Sequence, residues 1–280
     1  MKKIAVINDI SGFGRCSLTA ALPIISAAGI ECCPLPTAVL SNQTGYDSFY
    51  CTDYTEHLTR YIDEWKKLGV TFDAILTGYM TSEKQADIVR DFINTFKNDK
   101  TLLLVDPVMA DDGIIYDTYN KSLCDKISSL AKTANVITPN LTELCILCGI
   151  NYNEIISRSA EEQYINIIAE YASRLLSDTM SAVIVTGVVI SDDIYTVTVK
   201  KDGVSTEKSK RFGGSYSGTG DIFAGVVCAQ LVNGKKVTDA VELAVRFLEK
   251  SIADAYRERN ERNGGVNFQK YLEMIISAKE

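Results

Sequence analysis

Histidine is nearly missing from this sequence: His57 is the only one in 280 residues, and it lies in the polar stretch TDYTEHLTRY, where it reads as a surface helix residue. A second Cys-x-x-Cys pair is missing as well. Cys145 and Cys148, inside the apolar run LTELCILCGI, therefore lack the partners that a tetrahedral zinc site needs. The eight cysteines are read as reduced, small core hydrophobes. There is no basic block with interleaved aromatics and no amphipathic Lys/Arg face, which argues against nucleic acid or a membrane surface as partner. The formal charge of -7 is modest and of mixed sign. The opening MKKIAVINDISGFG starts like a signal peptide, but Asn8 and Asp9 break the apolar stretch too early for an h-region, and a cytoplasmic protein is expected. No internal repeat, low-complexity tract or linker divides the chain. One domain over residues 1–280 is expected, and 46% hydrophobic residues suffice for a large core.

What is present is an alternation. KKIAVIN, ECCPLPT, FDAILTGY, TLLLVD, ANVIT and SAVIVTG are apolar runs too short for helices and read as buried strands. Between them TEHLTRYIDEWKKLG, SEKQADIVRDFINTFK, YNKSLCDKISSLAK and EEQYINIIAEYASRLLS carry apolar residues at helical spacing. This order predicts an α/β fold with a mostly parallel sheet covered on both faces. DDIYTVTVKKDGVSTEKSKR then predicts a hairpin turning at Lys201-Asp202-Gly203, and two helices, Asp221 to about Leu231 and Val237 to about Tyr256, close the chain.

Ligands of open α/β sheets bind beyond the carboxyl ends of the strands. Polar residues follow all six runs here: Asn8-Asp9, SNQTG, Gly78-Tyr79, Asp106-Pro107, TPNLTE and Thr186-Gly187. Singly each is what a turn prefers, but together they mark one rim as a site. The stretch FGGSYSGTGDIFAG places Asp221 at the mouth of an apolar helix. Gly218 and Gly220 let the backbone approach closely, and the first helical turn leaves N–H groups without carbonyl partners, so an anion such as phosphate fits there. Asp221 is then either a base beside a transferred phosphoryl group or a residue that caps the helix start.

SGTGDIFAG resembles the C-terminal signature of the ribokinase-like superfamily. VINDISGFGRCS, TAVLSNQTGY, TGYMTS, VDPVMADDG and TPNLTE occur in the order and at the spacings of its pyridoxal and pyridoxamine kinases and the related hydroxymethylpyrimidine kinases. The resemblance covers nearly the whole chain. It implies a three-layer α/β/α fold and ATP-dependent phosphorylation of a hydroxymethyl group on a B6 vitamer. Asp221 would be the base and Gly218, Thr219 and Gly220 the phosphate turn. It further implies Asp106, Thr138, Asn140 and Thr186 near the nucleotide, Asp111 and Glu143 toward Mg²⁺, and Asp9, Thr44 and Tyr79 around the pyridine ring. Asn140 with Glu143 three residues on is also close to a helix capping box, which is the competing structural reading. ATP and Mg²⁺ are the implied cofactors, with a monovalent cation (K⁺) an open addition, and a homodimer is usual in the family. The chain departs from the pyridoxal kinases at Asp9, often Ser there, at Gln43, often His, and at Ala110, usually Gly in the lid. Hydroxymethylpyrimidine as acceptor and a non-catalytic vitamer or nucleotide sensor are the alternatives, the second disfavoured by the presence of Asp221.

Overall fold

The computed structural model describes residues 1–160 and 162–278, so Glu161, the first residue of one expected helix, lies outside the described residues. The elements run β1 (Lys3–Ser11), α1 (Ser17–Ala27), β2 (Glu31–Leu40), β3 (Cys51–Asp53), α2 (Thr55–Leu68), β4 (Ala74–Thr77), α3 (Glu83–Phe96) and β5 (Leu102–Val105). They continue with β6 (Ala110–Asp111), β7 (Ile114–Ile115), α4 (Lys121–Ala131), β8 (Val136–Ile137), α5 (Leu141–Cys148), α6 (Tyr152–Ile156), α7 (Tyr164–Ser173) and β9 (Ala182–Ile190). β10 (Asp193–Lys200), β11 (Gly203–Lys210), α8 (Thr219–Val232), α9 (Val237–Arg257) and α10 (Leu272–Ser277) complete the described chain.

Nine strands form one sheet in the order β11-β10-β9-β8-β5-β4-β1-β2-β3. The central pairings, from β9 through β8, β5, β4 and β1 to β2, are parallel, and only the flanking pairs β2–β3, β9–β10 and β10–β11 are antiparallel. The parallel strands are almost wholly apolar because both faces are covered. One face packs residues such as Leu58, Phe92, Ile127, Leu144 and Ile168 from α2, α3, α4, α5 and α7. The other packs Leu18, Ile24, Phe223, Val227 and Phe247 from α1, α8 and α9. The fold is therefore the expected three-layer sandwich.

The hairpin pairs Lys200 with Gly203 and turns on Lys201-Asp202, as expected from the Lys-Asp-Gly signal. Four expectations need correction. α1 was not expected: Pro23 interrupts SLTAALPIISA, and its apolar residues spread around the helix instead of along one stripe. α7 is shorter than the 161–177 pattern, running only from Tyr164 to Ser173. The strand expected to end at Gly187 continues to Ile190, with Thr186 and Gly187 together opposite Thr196 of β10. Gly187 takes φ +70° there, so the polar pair marks a β-bulge, not a strand end. Lastly, Cys16, Cys124, Cys145 and Cys228 are buried free thiols, as a small-hydrophobe reading requires, but Cys51 is exposed on the edge strand β3.

Candidate active site

Because β1, β4, β5 and β8 are adjacent and parallel, the residues at their carboxyl ends meet on one rim. Asn8, Thr77, Gly78, Asp106 and Asp221 line a single small cavity there. Asn8 is its centrepiece, and sequence reading passed over it in favour of Asp9. Its Oδ1 accepts from the backbone N–H of Asp9 (3.0 Å) and of Tyr79 (2.9 Å), while its Nδ2 donates to Asp221 Oδ1 at 2.8 Å. Gly78 is obligatory beside it, since a Cβ would lie 2.5 Å from Asn8 Nδ2. The second oxygen of Asp221 accepts from Ser17 N at 2.8 Å. Ser17 holds φ +50°, a conformation that ordinary residues avoid, at the start of α1. No sequence signal marks it.

Asp221 thus has both oxygens fixed by neutral donors. Burial pushes its carboxyl up to about 6, and nearby Asp9 adds to the shift, while the two hydrogen bonds oppose it. The residue sits in the first turn of α8, whose N-cap Gly218 has φ +83°. A Cβ on Gly218 would collide with the carbonyl oxygen of Arg15, so only glycine fits. Ile222 N takes the carbonyl of Gly218 as its acceptor. The N–H groups of Thr219, Gly220 and Asp221 precede that first helical bond and have no carbonyl partner within the helix. Thr219 Oγ1 donates to Tyr216 O (3.2 Å), which tightens the turn.

Three acidic side chains, Asp106, Glu143 and Asp111, lie on the neighbouring side. Asp106, just after β5 and 8% exposed, accepts from Thr138 Oγ1 at 2.8 Å. Burial and then the charge of Asp221 push its carboxyl up to about 7. Glu143, 4% exposed, is raised well above the usual carboxylate range by burial and then by Asp106, and Asp111 on β6 is raised by burial and Asp112. The Tyr116 hydroxyl is raised by burial and by the charges of Glu143, Asp111, Asp106 and Asp221.

Asn140 and Glu143 do form a capping box: Asn140 Oδ1 accepts from Glu143 N and Glu143 Oε2 accepts from Asn140 N, both at 2.9 Å. They do more than cap α5. Glu143 Oε1 accepts from Met109 N (3.0 Å) and Asn140 Nδ2 donates to Ala110 O (2.7 Å), which docks the β6–β7 hairpin over the acidic cluster. That hairpin turns on Asp112-Gly113, both at positive φ, a signal the sequence carried in DDG. Ala110 is fully buried and begins the hairpin. Asn140 also bridges in parallel to Thr186 at the bulge.

Oxygen donors suit Mg²⁺, and mutual repulsion among crowded carboxylates is what a divalent cation relieves. No three metal-ligating side chains converge closely enough for a direct cage among the described residues. With both Glu143 oxygens already accepting amides, the cluster fits a hydrated cation held partly through water.

Of the residues expected around the acceptor, Asp9 is buried with Oδ2 accepting from Ser11 Oγ at 2.8 Å. The half-buried Tyr79 ring lies 5.8 Å from that of Tyr119, and its carbonyl accepts from Thr37 Oγ1. Thr44 is exposed on the loop after β2, and it is not drawn into the cavity. A wider hollow of about 400 Å³ opens between Phe13, which follows β1, and Asn42, Tyr46, Asp47 and Ser48 of the loop after β2. Of the carboxylates, Asp106 and Asp221 line the smaller cavity, and neither lines this hollow.

A carboxylate at the head of a glycine-opened helix, on the rim of a three-layer α/β/α sandwich, is the arrangement of the ribokinase-like kinases. The chain belongs to the phosphomethylpyrimidine kinase family, whose model matches residues 17–267. A protein of Bacteroides thetaiotaomicron assigned as a phosphomethylpyrimidine kinase, crystallised with pyridoxal, is 35% identical, with TM-score 0.90 and coverage of 98% of this chain and 95% of that one. The pyridoxal kinase of Lactobacillus plantarum is 25% identical, with TM-score 0.88 and coverage of 99% and 97%. The pyridoxine/pyridoxal/pyridoxamine kinase of Bordetella avium is 26% identical over 251 residues, covering 86% of this chain and 81% of that protein.

Proposed function

We propose that this chain is one kinase unit that transfers the γ-phosphoryl group of ATP to the 5'-hydroxymethyl group of pyridoxal, pyridoxamine or pyridoxine. The observation that carries this reading is Asp221, held by Asn8 and Ser17 beside the free amides of the 218–220 turn. The names of the relatives and the pyridoxal in the 35% identical structure support the acceptor.

In this mechanism Asp221 takes the proton of the acceptor hydroxyl as its oxygen attacks the γ-phosphorus, the bond from phosphorus to the β-phosphate oxygen breaks, and ADP leaves. The amides of Thr219 and Gly220 donate to the charge that develops on the phosphoryl oxygens. Asp106, Thr138, Asn140 and Thr186 flank the nucleotide phosphates, and Asp111 and Glu143 would hold Mg²⁺ with Asp106. Bound with ATP, that ion neutralises phosphate charge. Asp9, Thr44 and Tyr79 orient the ring, Thr44 once its loop closes over the acceptor. A cytoplasmic homodimer is the form in which we expect the enzyme to work. Among the described residues no helix is long and apolar enough to cross a membrane.

Hydroxymethylpyrimidine is the second acceptor, favoured by the buried Asp9, which can accept from a ring amino group, and by the matching family model. ATP consumption measured at saturating ATP–Mg²⁺ with pyridoxal, pyridoxamine, pyridoxine and hydroxymethylpyrimidine side by side tests the assignment. A B6 vitamer with the highest kcat/KM supports it. Hydroxymethylpyrimidine above all three would reassign the acceptor, and no turnover with any of them would remove the kinase reading.

A further inference from the structure

The loop after β2 is tied to the phosphate turn by side chains that have no part in the chemistry above. Gln43 Oε1 accepts from Gly45 N at 2.7 Å, and Gln43 Nε2 reaches Ser217 Oγ (3.3 Å) and Asn263 O (3.4 Å). Asn263 Nδ2 donates back to Gly45 O at 2.6 Å. Ser217 N donates to Arg262 O at 3.1 Å, and Ser217 immediately precedes Gly218. A Cβ on Gly45 would lie 2.7 Å from Asn263 Oδ1 and 3.0 Å from both amide atoms of Gln43, so a side chain there would displace these two amides. Gln43 N also donates to Phe13 O (3.1 Å), and Arg15 Nη1 donates to Gly264 O (3.0 Å). Segments that follow β1, β2 and α9 thus close on the turn that opens α8.

The Gln43 amide is therefore engaged within the protein itself. We propose that Gln43 and Asn263 are positioning residues of a clasp through which occupancy of the acceptor loop and of the phosphate turn reinforce each other. The proposal rests on the kinase reading above for the identity of the two ligands. The physical basis is shared ordering. Loops on the rim lose freedom when a ligand fills their site. If the clasp makes the two loops order together, the first ligand meets that cost for both, and the second binds more tightly. Linkage makes the effect reciprocal: nucleotide strengthens acceptor binding by the factor by which acceptor strengthens nucleotide binding.

Gln43→Met and Asn263→Ala remove the clasp bonds without adding charge. The test measures pyridoxal affinity by calorimetry with and without ADP–Mg²⁺, and amide hydrogen exchange over residues 41–50 with ADP–Mg²⁺ alone. In the unaltered protein ADP should tighten pyridoxal by about fivefold or more, in the range of ordinary coupling between sites, and should slow exchange over 41–50. In each variant either ligand alone should bind within about twofold of normal, while the tightening and the remote protection should disappear, because only the linkage is removed. Tightening or protection that survives both substitutions overturns the clasp, as does its absence from the unaltered protein. If the B6 assignment alone is wrong, pyridoxal will not bind, but ADP-induced protection of 41–50 will persist and will still require Gln43 and Asn263.

Discussion

Asn8 Nδ2 and Asp221 Oδ1 are 2.8 Å apart, joining the end of the first strand to the head of α8 across 213 positions of sequence. The same amide accepts from Tyr79 N, so a single side chain sets Asp221, the proposed base, and Tyr79, a proposed wall of the acceptor site, relative to each other. Asn8→Ala should lower kcat by about tenfold to a hundredfold, the cost of misplacing a catalytic group by a fraction of an ångström to an ångström. It should also move the acidic limb of the pH profile upward, because the lost hydrogen bond favoured the ionised form of Asp221. Steady-state kinetics from pH 5 to 8 would check both effects.

The unaltered enzyme should lose activity on acidification through about pH 6, the value to which burial raises Asp221. The sign follows from the role: a base works only when ionised, so kcat falls tenfold per pH unit below that point. A profile flat down to pH 5 would show that Asp221 does not titrate as the base.

Asp106 sets function against stability. Its folded value of about 7 lies above the 3.8 of an ordinary Asp, so the native state holds this proton more tightly than the unfolded chain. Stability is therefore lost as pH rises from about 4 to 7, and the loss is complete above 7. Asp106→Asn can still accept from Thr138 and removes the buried charge. It should raise Tm at pH 8 by an amount on the order of a few kcal/mol in stability, and much less at pH 4. Thermal unfolding at the two pH values, without ligands, checks this.

Glu143→Gln tests the capping box and the cation site together. Both carboxylate oxygens accept amides, so the Gln NH₂ must face the N–H of either Met109 or Asn140. A loss of about 1–3 kcal/mol is expected for the orphaned donor, along with a higher Mg²⁺ concentration for half-maximal turnover. A lower Tm with an unchanged Mg²⁺ titration would leave Glu143 a structural role only.

Much of the rim could be read in advance because parallel strands place their polar successors at one edge. Asp106 and the TPNLTE segment stood out as polar stretches just after apolar runs, with Thr138 and Glu143 singled out by the family resemblance, and Gly218-Thr219-Gly220-Asp221 as a helix mouth. What escaped depends on tertiary contact. Ser17 donates to Asp221 from a positive-φ backbone that no propensity suggests, and Thr186 lies in a bulge fixed by β10, not at a strand end. Gln43 was legible only as a departure from a usual His; its bonds to Gly45, Ser217 and Asn263, the last two far away in sequence, were not. α1 was hidden by Pro23 and by an apolar surface on every side, the mark of a helix buried against α8.

The most direct test of the account is a single-turnover measurement with γ-labelled ATP–Mg²⁺ and pyridoxal, comparing the unaltered enzyme with Asp221→Asn. Label should appear in the 5'-phosphate of the vitamer, and the variant should form it about a hundredfold more slowly or worse, with ADP affinity and Tm little changed. An Asn variant that phosphorylates pyridoxal at near the normal rate would contradict Asp221 as the base, and an unaltered enzyme that leaves pyridoxal unlabelled would contradict the function itself.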